Sequence, residues 1–300
     1  MGVARSKALV LVAAYNGAQW LTEQIDSILN QSGVDIFIVI SVDTSTDDTL
    51  KLCKKYADSY SNVTVLPYGE YFGGAGKNFY RLVKDCDLSR FDYIAFSDQD
   101  DIWYENKLFN AIKSLETYDC YSSNVTAFWQ DDRKVLINKA QSQCQWDYLF
   151  EAAGPGCTYV LKRDVVLQFK RLLLDNYEHI GSNIALHDWL IYAFSRSQNY
   201  RWFIDPEPMM FYRQHENNQV GTNNGIAAAV KRLKLIKCKW YRYQVTQIAE
   251  LIGLKNSDIY RYGLSNGYIG NIYLLSKVQR LRRRFRDRLA LAVALLFNLF

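Results

Sequence analysis

The chain has 300 residues, of which 49% are hydrophobic, and this fills a sizeable core and excludes a disordered protein. Its net charge of +5 hides an asymmetry: residues 221–300 hold 15 Lys+Arg and three acids, a net of +12, which leaves −7 for residues 1–220. The six cysteines are scattered, with no CxxC pair and no His at metal-ligand spacing, which argues against a zinc site or a disulfide framework and favours a reducing cytosol.

Apolar, strand-like runs alternate with helical patterns through the first half of the chain. The runs are KALVLVA (7–13), VDIFIVISV (34–42), NVTVL (62–66) and FDYIAFS (91–97). The spacing of Leu21, Ile25, Ile28 and Leu29 predicts a helix after the first run, and further helices are expected over 47–59 and 76–86. This alternation is typical of βαβ units, and strands that are apolar throughout predict an α/β fold with a mostly parallel sheet covered by helices on both faces.

The second half continues the same domain and ends in a different kind of segment. Shorter strands are expected at YVLKR, YRWFID and MMFYRQH, with helices near 164–174 and 187–197. From about residue 226 the pattern is wholly helical and basic, and the Gly/Asn-rich GTNNGIAA (221–228) marks the junction. We therefore expect a catalytic domain over 1–225 and a helical basic appendage over 226–300.

Polar clusters follow the carboxyl ends of three predicted strands. They read AYNGAQ, DTSTDD and DQDDIW. Ligands of parallel sheets gather at this edge, so one crevice is expected to collect all three clusters.

The third cluster places Asp98, Asp100 and Asp101 within four residues. Three carboxylates repel one another unless a cation or hydrogen-bond donors neutralise them. Mg²⁺ or Mn²⁺ is held by one or two carboxylates and fills its other positions with substrate phosphates and water. The alternative is that Asp98 and Asp101 cap a helix starting near Trp103.

Four further residues have a functional reading and a structural alternative. Asp43 stands one step beyond a strand, where a carboxylate can accept the imide N–H of uracil or thymine, whereas its neighbours suit helix capping. Asp188 lies at the start of a strongly apolar helical pattern. It is interpreted either as a helix cap or as a general base. Arg213 is suited to bind a diphosphate, and His215 is suited to bind a metal. The alternative is that both are ordinary surface residues.

Taken together and in this order, the segments resemble a family 2 glycosyltransferase with the GT-A fold, of the bacterial polysaccharide type that includes many rhamnosyltransferases. The resemblance covers about residues 7–221, through AYNG…L…QI.SIL.QS, DTSTDDT, SDQDDIW, HDW and YRQH..N..G. It implies inverting transfer of a sugar, with rhamnose favoured, from a dTDP- or UDP-linked donor to an acceptor hydroxyl. It also implies a divalent cation, Mg²⁺ or Mn²⁺.

The resemblance assigns donor-binding roles to five residues in the first half of the chain. Tyr15, Asn16 and Asp43 would meet the nucleotide base. Asp98 would meet the ribose or the metal-bound diphosphate, and Lys77, in GGAGKNF, matches a family segment near the donor.

The resemblance also assigns the metal site and the base. Asp100 and Asp101 are the metal candidates, Asp100 the better one because the first and third residues of DQD form the DxD motif. His215 matches a late metal ligand, and Arg213 would offset leaving-group charge. Asp188 matches the catalytic base, which takes the proton of the acceptor hydroxyl.

The chain departs from the family pattern in two places and lacks one motif. Val42 stands where the family has an acid, and His187 replaces the Glu before the catalytic Asp. The Gln-x-x-Arg-Trp motif and transmembrane helices of the processive synthases are absent from the sequence, so we expect a non-processive enzyme.

The basic C-terminal segment favours a location at a membrane surface. KRLKLIKCKWYR (231–242) and KVQRLRRRFRDR (277–288) mix cations with apolar residues, and the final LALAVALLFNLF is too short to cross a bilayer. These features suit the surface of an anionic membrane, where a lipid-linked glycan acceptor would lie. We expect a cytoplasmic protein, peripheral on the inner face of the plasma membrane. The second interpretation of the basic segment is a homodimer surface. No nucleic-acid partner is expected, because the net negative charge of residues 1–220 would repel nucleic-acid phosphates.

Three rival functions stay open at this point. One is a catalytically degenerate nucleotide-sugar-binding protein of the same fold, and another is a hexose transferase that uses a UDP-sugar. A Rossmann dehydrogenase is weakened because AYNGAQ lacks the G-x-G-x-x-G fingerprint.

Overall fold

The first apolar run forms a buried central strand, β1 (Lys7–Ala14), in the computed structural model, which describes residues 5–215 and 234–300. Both faces of β1 are covered, because Leu9 and Leu11 pack into one hydrophobic cluster while Val10 and Val12 pack into another. The other strands are β2 (Asp35–Val42), β3 (Val63–Val65), β4 (Tyr93–Ser97), β5 (Ile102–Trp103), β6 (Cys120–Phe128), β7 (Lys134–Ile137), β8 (Val160–Lys162) and β9 (Trp202–Arg213).

Helices separate the strands along the chain and cover both faces of the sheet. Up to residue 215 they are α1 (Leu21–Leu29), α2 (Thr49–Ser59), α3 (Ala75–Asp85), α4 (Lys107–Leu115), α5 (Asp147–Phe150), α6 (Arg163–Asp175), α7 (Tyr177–Asn183) and α8 (His187–Ser197). Helices α1, α2 and α4 contribute to one cluster, through residues such as Ile25, Cys53 and Leu108. Helices α3, α6 and α8 contribute to the other.

The sheet confirms the predicted fold class. Its order is β3-β2-β1-β4-β8-β6-β9-β5, with β7 paired to β6. Strands β3, β2, β1 and β4 run parallel, as do β6 and β9, while β8, β5 and β7 add antiparallel pairs. Ala14 of β1 pairs with Val42 of β2, and Val12 pairs with Ser97 of β4, so the three polar clusters leave the sheet at the same edge.

The capping interpretation of Asp98 and Asp101 is wrong. Ile102 and Trp103 form the short strand β5, paired antiparallel with β9, and helix α4 begins only at Lys107. The two segments expected as separate strands, YRWFID and MMFYRQH, lie within and just beyond the single strand β9, whose pairing with β6 is interrupted by register shifts.

The described C-terminal residues are helical, as predicted, and share the core of the sheet domain. Leu274, Leu291 and Phe300 belong to the same buried cluster as Phe79 and Leu190. The proposed boundary between residues 225 and 226, like the GTNNGIAA junction, lies outside the described residues. This region contains α9 (Trp240–Leu251), a π-helix (Ile259–Leu264), α10 (Gly267–Ser276) and α11 (Phe285–Leu296).

Part of the basic tail is internal. The Arg283 side chain is fully buried and pairs with Asp147 at 3.0 Å and with Glu151 at 3.6 Å. The Arg282 guanidinium donates to the carbonyl of Phe150. These two cations therefore attach the tail to the sheet domain and are unavailable to a membrane.

Within residues 5–215 and 234–300, none of the helices has the length and apolar composition needed to cross a bilayer.

Candidate active site

The loops after β1, β2 and β4 are joined by side chain–backbone hydrogen bonds at one edge of the sheet, here named the crevice. The Gln99 amide accepts from the Tyr15 N–H at 2.7 Å and donates to the Tyr15 carbonyl at 2.8 Å. The Asn16 N–H donates to Ser45 Oγ at 3.1 Å, and Asn16 Oδ1 accepts from the Thr46 N–H at 2.8 Å. The prediction that the three clusters come together at one edge of the sheet is confirmed.

Tyr15 and Asn16 stand at the mouth of this crevice. Tyr15 is 49% exposed, so its ring face is accessible to a planar ligand. Asn16 adopts a left-handed backbone conformation, with φ of 45°, which Asn tolerates better than most residues.

Asp43 lies beneath the loop that follows β3. Its Oδ1 accepts from the N–H groups of Thr44 and Phe72, at 2.8 and 2.9 Å, and its Oδ2 accepts from the Gly73 N–H at 2.9 Å. Each carboxylate oxygen has two lone pairs, so one acceptor position of Oδ2 remains beyond these three bonds. The side chain is buried and holds the Phe72–Gly73 loop against the end of β2.

Lys77 and Asn78 lie in the first turns of α3 and have different environments. Lys77 is exposed. Asn78 is buried, and its Nδ2 donates to the carbonyl of Ser41 at 3.0 Å, which braces the end of β2. The Asn78 contact is therefore structural, whereas Lys77 is free to approach a ligand.

The three aspartates after β4 have separate partners. Asp100 Oδ2 lies 2.8 Å from His215 Nε2, and Trp20 stacks on the His215 ring at 4.0 Å between centroids. Asp101 is fully buried, and its Oδ1 accepts from the Arg213 N–H at 3.0 Å. The side chains of Asp100 and Asp101 therefore hold the loop after β4 against the end of β9.

Arg213 lies across this loop with its guanidinium engaged by protein groups. Its Nε donates to the Asp100 carbonyl at 2.7 Å, and its Nη2 pairs with Glu23 of α1. The guanidinium carbon lies 4.6 Å from the Phe128 ring centroid. The structure thus places Arg213 and His215 together at Asp100.

Asp98 and Asp101 form a second group with Cys157. One ligand atom from each lies within 4.8 Å of the others, and Asp101 Oδ2 is buried with no hydrogen-bond partner among the described residues. Burial and the neighbouring Asp100 and Asp188 charges raise the pKa of Asp98 to about 7, and burial likewise raises the pKa of Asp101 well above its ordinary value.

The donor set of this loop fits a divalent cation. Carboxylate oxygens and a neutral imidazole nitrogen are ligands that Mn²⁺ accepts, and carboxylates alone suit Mg²⁺. Burial, and then the neighbouring carboxylates, raise the pKa values of Asp98 and Asp101, and the Lys107 charge opposes the rise at Asp98; a cation bound here would lower both pKa values. Two groups could hold an ion, Asp100 with His215 and Asp98 with Asp101, and the structure places Asp101 with Asp98 and Cys157 rather than with His215.

Asp188 is the second residue of α8 and lines another part of the site. Its Oδ1 accepts from the Trp189 N–H at 2.8 Å. Burial raises the pKa of Asp188 to about 6, against the opposing effects of that hydrogen bond and of the Lys139 charge. Since Asp188 raises the pKa of Asp98, the candidate base and the aspartate loop share one electrostatic environment.

His187, beside the candidate base, is a neutral packing residue. It stacks on Phe79 at 4.0 Å, and burial lowers its pKa to about 3. A Cβ on Gly156 would lie 2.6 Å from His187 Nε2 and 3.0 Å from Asp188 Cβ, so the missing side chain at residue 156 makes room for both. The replacement of the family's Glu by His187 thus puts an uncharged ring next to Asp188.

Several residues around the site were not found from the sequence. Cys157 is a single cysteine far from the motifs, and Glu23 meets Arg213 across 190 residues, so neither gave a local signal. Gln99 was visible as the middle residue of DQD, and its pairing with Tyr15 could have been anticipated from the shared sheet edge.

The three loops lie at the carboxyl ends of strands in a mixed sheet, where such sheets bind ligands, and comparisons with known proteins identify the class of protein. The model of glycosyl transferase family 2 matches residues 9–166, and the chain belongs to that family. It is a rhamnosyltransferase-like member: it is 50% identical over 292 residues to the dTDP-rhamnosyl transferase RfbG of Shigella flexneri, covering 96% of this chain and 100% of that protein. The chain is accordingly a glycosyltransferase.

Other matches are more distant, and the solved structures among them show the same fold. The chain is 31% identical over 155 residues to the UDP-Glc:alpha-D-GlcNAc-diphosphoundecaprenol beta-1,3-glucosyltransferase WfaP of Escherichia coli, covering 51% of this chain and 59% of that protein. The crystal structure of S. aureus TarS 1-349 in complex with UDP-GlcNAc matches with a TM-score of 0.55 at 16% identity, covering 98% and 90%. The mannosyltransferase PcManGT of Pyrobaculum calidifontis, in complex with GDP-Man and Mn2+, matches with a TM-score of 0.51 at 15% identity, covering 98% and 88%.

Proposed function

We propose that the protein is an inverting, metal-dependent, non-processive rhamnosyltransferase. It moves rhamnose from dTDP-rhamnose to a hydroxyl of a lipid-linked or growing surface polysaccharide at the inner face of the plasma membrane. The observation that carries the donor is the 50% identity, over almost the whole of both chains, to a dTDP-rhamnosyl transferase. The site residues are a proposal of their own, supported by their convergence on one crevice.

The donor is proposed to lie along the three loops. Tyr15 and Asn16 at the mouth and Asp43 below them would meet the thymine ring, with the remaining lone pair of Asp43 Oδ2 as the acceptor for its imide N–H. Asp98 would meet the ribose or the diphosphate, and Lys77 would add positive charge near the donor. Mg²⁺ or Mn²⁺, held by Asp100 with Asp101 and His215, would neutralise charge that develops on the diphosphate as it leaves.

Arg213 would add to that neutralisation from beside Asp100. Its guanidinium already contacts Glu23 and the Asp100 carbonyl, so it is pre-positioned at the loop rather than free in solvent. A cation fixed in this way contributes more to the transition state, where the diphosphate charge is largest, than to the bound donor.

Asp188 is proposed as the general base. Its carboxylate removes the proton of the acceptor hydroxyl while the acceptor oxygen forms a bond to the anomeric carbon. The bond from that carbon to the diphosphate oxygen breaks on the opposite side, and the diphosphate leaves with the electron pair, so the anomeric configuration inverts. A base with a pKa of about 6 is largely ionised at neutral pH and still able to take a proton.

The test is transfer with a purified donor and a membrane lipid extract as acceptor. We expect labelled dTDP-rhamnose to be transferred in Mn²⁺ or Mg²⁺, transfer to stop with EDTA, and the product linkage, read by NMR, to be inverted relative to the donor. Transfer from UDP-glucose in place of dTDP-rhamnose would instead identify a hexose transferase. Binding of dTDP-rhamnose without turnover on any extract would favour a degenerate binding protein.

A further inference from the structure

The exposed apolar side chains of the C-terminal helices are concentrated on one helix pair. Phe285 is 80% exposed, and Ile269 and Phe297 are each 72% exposed. We define the α10–α11 face by Ile269, Ile272, Phe285, Leu289, Val293 and Phe297, all of them exposed. Isolated exposed apolar residues are ordinary, but a contiguous set of this kind marks an interaction surface.

Helix α11 is apolar on two opposite sides. Leu291 and Leu295 are buried in the core. Phe285, Leu289 and Val293 follow one another at intervals of four residues, which places them in one row on the exposed side. The inner row explains how the helix is held, and the outer row has no role in that packing.

Helix α10 extends the same face. Tyr268 Oη donates to the carbonyl of Leu296 at 3.1 Å, which fixes the start of α10 against the end of α11. Leu274 and Gly270 are buried, while Ile269 and Ile272 point to the exposed side. A Cβ on Gly270 would lie 2.0 Å from the Gly263 carbonyl oxygen, so α10 is tightly seated against the π-helix.

The face is attached firmly to the catalytic part of the molecule. Arg283, directly before α11, is buried between Asp147 and Glu151. Tyr241 of α9 stacks on Trp189, the residue after Asp188, at 5.4 Å between centroids. Whatever binds the α10–α11 face is thereby held in a defined position relative to the candidate base.

The charge of the region selects the partner. Without Arg282 and Arg283, which attach the tail to the sheet domain, residues 234–300 carry 11 Lys+Arg and three acids, a net of +8. Arg286, a neighbour of Leu289 on the helix surface, has 81% of its side chain exposed, and Arg261 and Arg280 are exposed as well. A symmetric dimer through this face would bring two regions of the same sign together, whereas an anionic surface would be attracted.

We propose that the α10–α11 face docks on an anionic lipid surface, with its apolar row inserted among the acyl chains at the headgroup boundary and its cations on the phosphates. Apolar rows beside exposed cations are what such surfaces bind, through buried area and charge together. The purpose of the docking rests on the proposed function, because a lipid-linked acceptor would lie in that surface. The docking itself does not depend on which sugar is transferred.

The experiment is co-sedimentation of the full chain with vesicles. We expect binding to vesicles of phosphatidylethanolamine and phosphatidylglycerol, weak binding to phosphatidylcholine alone, and weaker binding at high salt. The triple variant Phe285→Gln, Leu289→Gln, Val293→Gln should bind at least about tenfold more weakly. Arg286→Gln should weaken binding by about fivefold, which corresponds to the loss of one cation near the membrane.

Control variants distinguish binding by the α10–α11 face from nonspecific hydrophobic binding and from misfolding. The double variant Val135→Gln, Leu136→Gln removes two exposed apolar side chains from β7, away from the face, and should bind vesicles like the wild type. Thermal unfolding of each variant should match the wild type. Donor binding, measured without vesicles, should be unchanged in the triple variant, so failure of docking and failure of the proposed function are read separately.

Three results would overturn the proposal. The first is a wild-type chain that does not co-sediment with anionic vesicles. The second is equal vesicle binding by the triple variant and the wild type. The third is a dimer in sedimentation velocity that the triple variant dissociates without any change in vesicle binding, which would assign the face to a second copy.

Discussion

Replacing Asp188 by Asn tests whether this carboxylate is a base or only the start of a helix. Asn keeps an oxygen that can accept the Trp189 N–H, so the hydrogen bond at the start of α8 is retained. It cannot take a proton from an acceptor hydroxyl. Since general bases contribute about 10²- to 10⁴-fold, we expect transfer at pH 7.5 to fall by that range.

The same substitution should stabilise the fold at high pH. Burial raises the pKa of Asp188 from 3.8 to about 6, so the ionised form is less stable in the folded chain than in the unfolded one. The loss of stability from ionised Asp188 is absent below pH 3.8, the pKa in the unfolded chain. It grows as the pH rises and is complete above about pH 6, the pKa in the folded chain. A shift of about two units, discounted for the partial exposure of the side chain, corresponds to about 1–3 kcal/mol. We expect Asp188→Asn to be more stable than the wild type by this amount at pH 8 and equal to it near pH 3.

Two assays follow, with a matched control. The pH profile of wild-type kcat/KM should lose about tenfold per unit below about pH 6, because the protonated base is inactive, and the residual rate of the variant should lack this limb. Urea unfolding at pH 3 and pH 8 measures the stability difference. Asp164→Asn changes an exposed acid in the first turn of α6 and should alter neither property. If Asp188→Asn destabilises the protein at pH 8, or if activity survives, Asp188 has a structural role and the base lies elsewhere.

Two further substitutions test packing around the site and attachment of the C-terminal helices. Gly156→Ala places a Cβ 2.6 Å from His187 Nε2 and should cost about 1–3 kcal/mol of unfolding free energy and reduce transfer, measured by urea unfolding and initial rates. Arg283→Ala removes a buried cation from Asp147, which keeps a partner in Arg196 at 3.2 Å, and should cost about 3 kcal/mol, measured as a lower Tm.

Each of these has its own control. Gly181→Ala, in a helix with open space around the added Cβ, should be neutral or slightly stabilising, and a loss as large as that of Gly156→Ala would contradict the steric argument. Arg286→Ala removes a largely exposed cation and should change Tm little. Equal losses for Arg283 and Arg286 would show that burial of the ion pair is not what matters.

Local patterns were sufficient for most of the architecture. The apolar runs at 7–13 and 34–42 became β1 and β2 almost residue for residue, because strands buried on both faces need an uninterrupted apolar sequence. Helix α8 was predicted with its observed bounds for a similar reason, since one of its sides is core.

What the sequence could not show depends on distant partners. The helix expected near Trp103 is a strand because Met210 of β9 pairs with it, over a hundred residues away. Arg283 looked like one cation in a basic run, and only the fold brings Asp147 and Glu151 to it. The aspartate motif was recognised from its composition, whereas the separate partners of Asp100 and Asp101 follow from the path of β9.

The central claim is that the aspartate loop binds a divalent cation that in turn holds the donor diphosphate. Isothermal titration of dTDP-rhamnose into the protein, with Mn²⁺ and with EDTA, tests it most directly. The account predicts tight binding in Mn²⁺, a loss of at least about tenfold in EDTA, and the same loss in Asp100→Asn with Mn²⁺ present, because that variant lacks a carboxylate ligand. Equal affinity in all three conditions would contradict it.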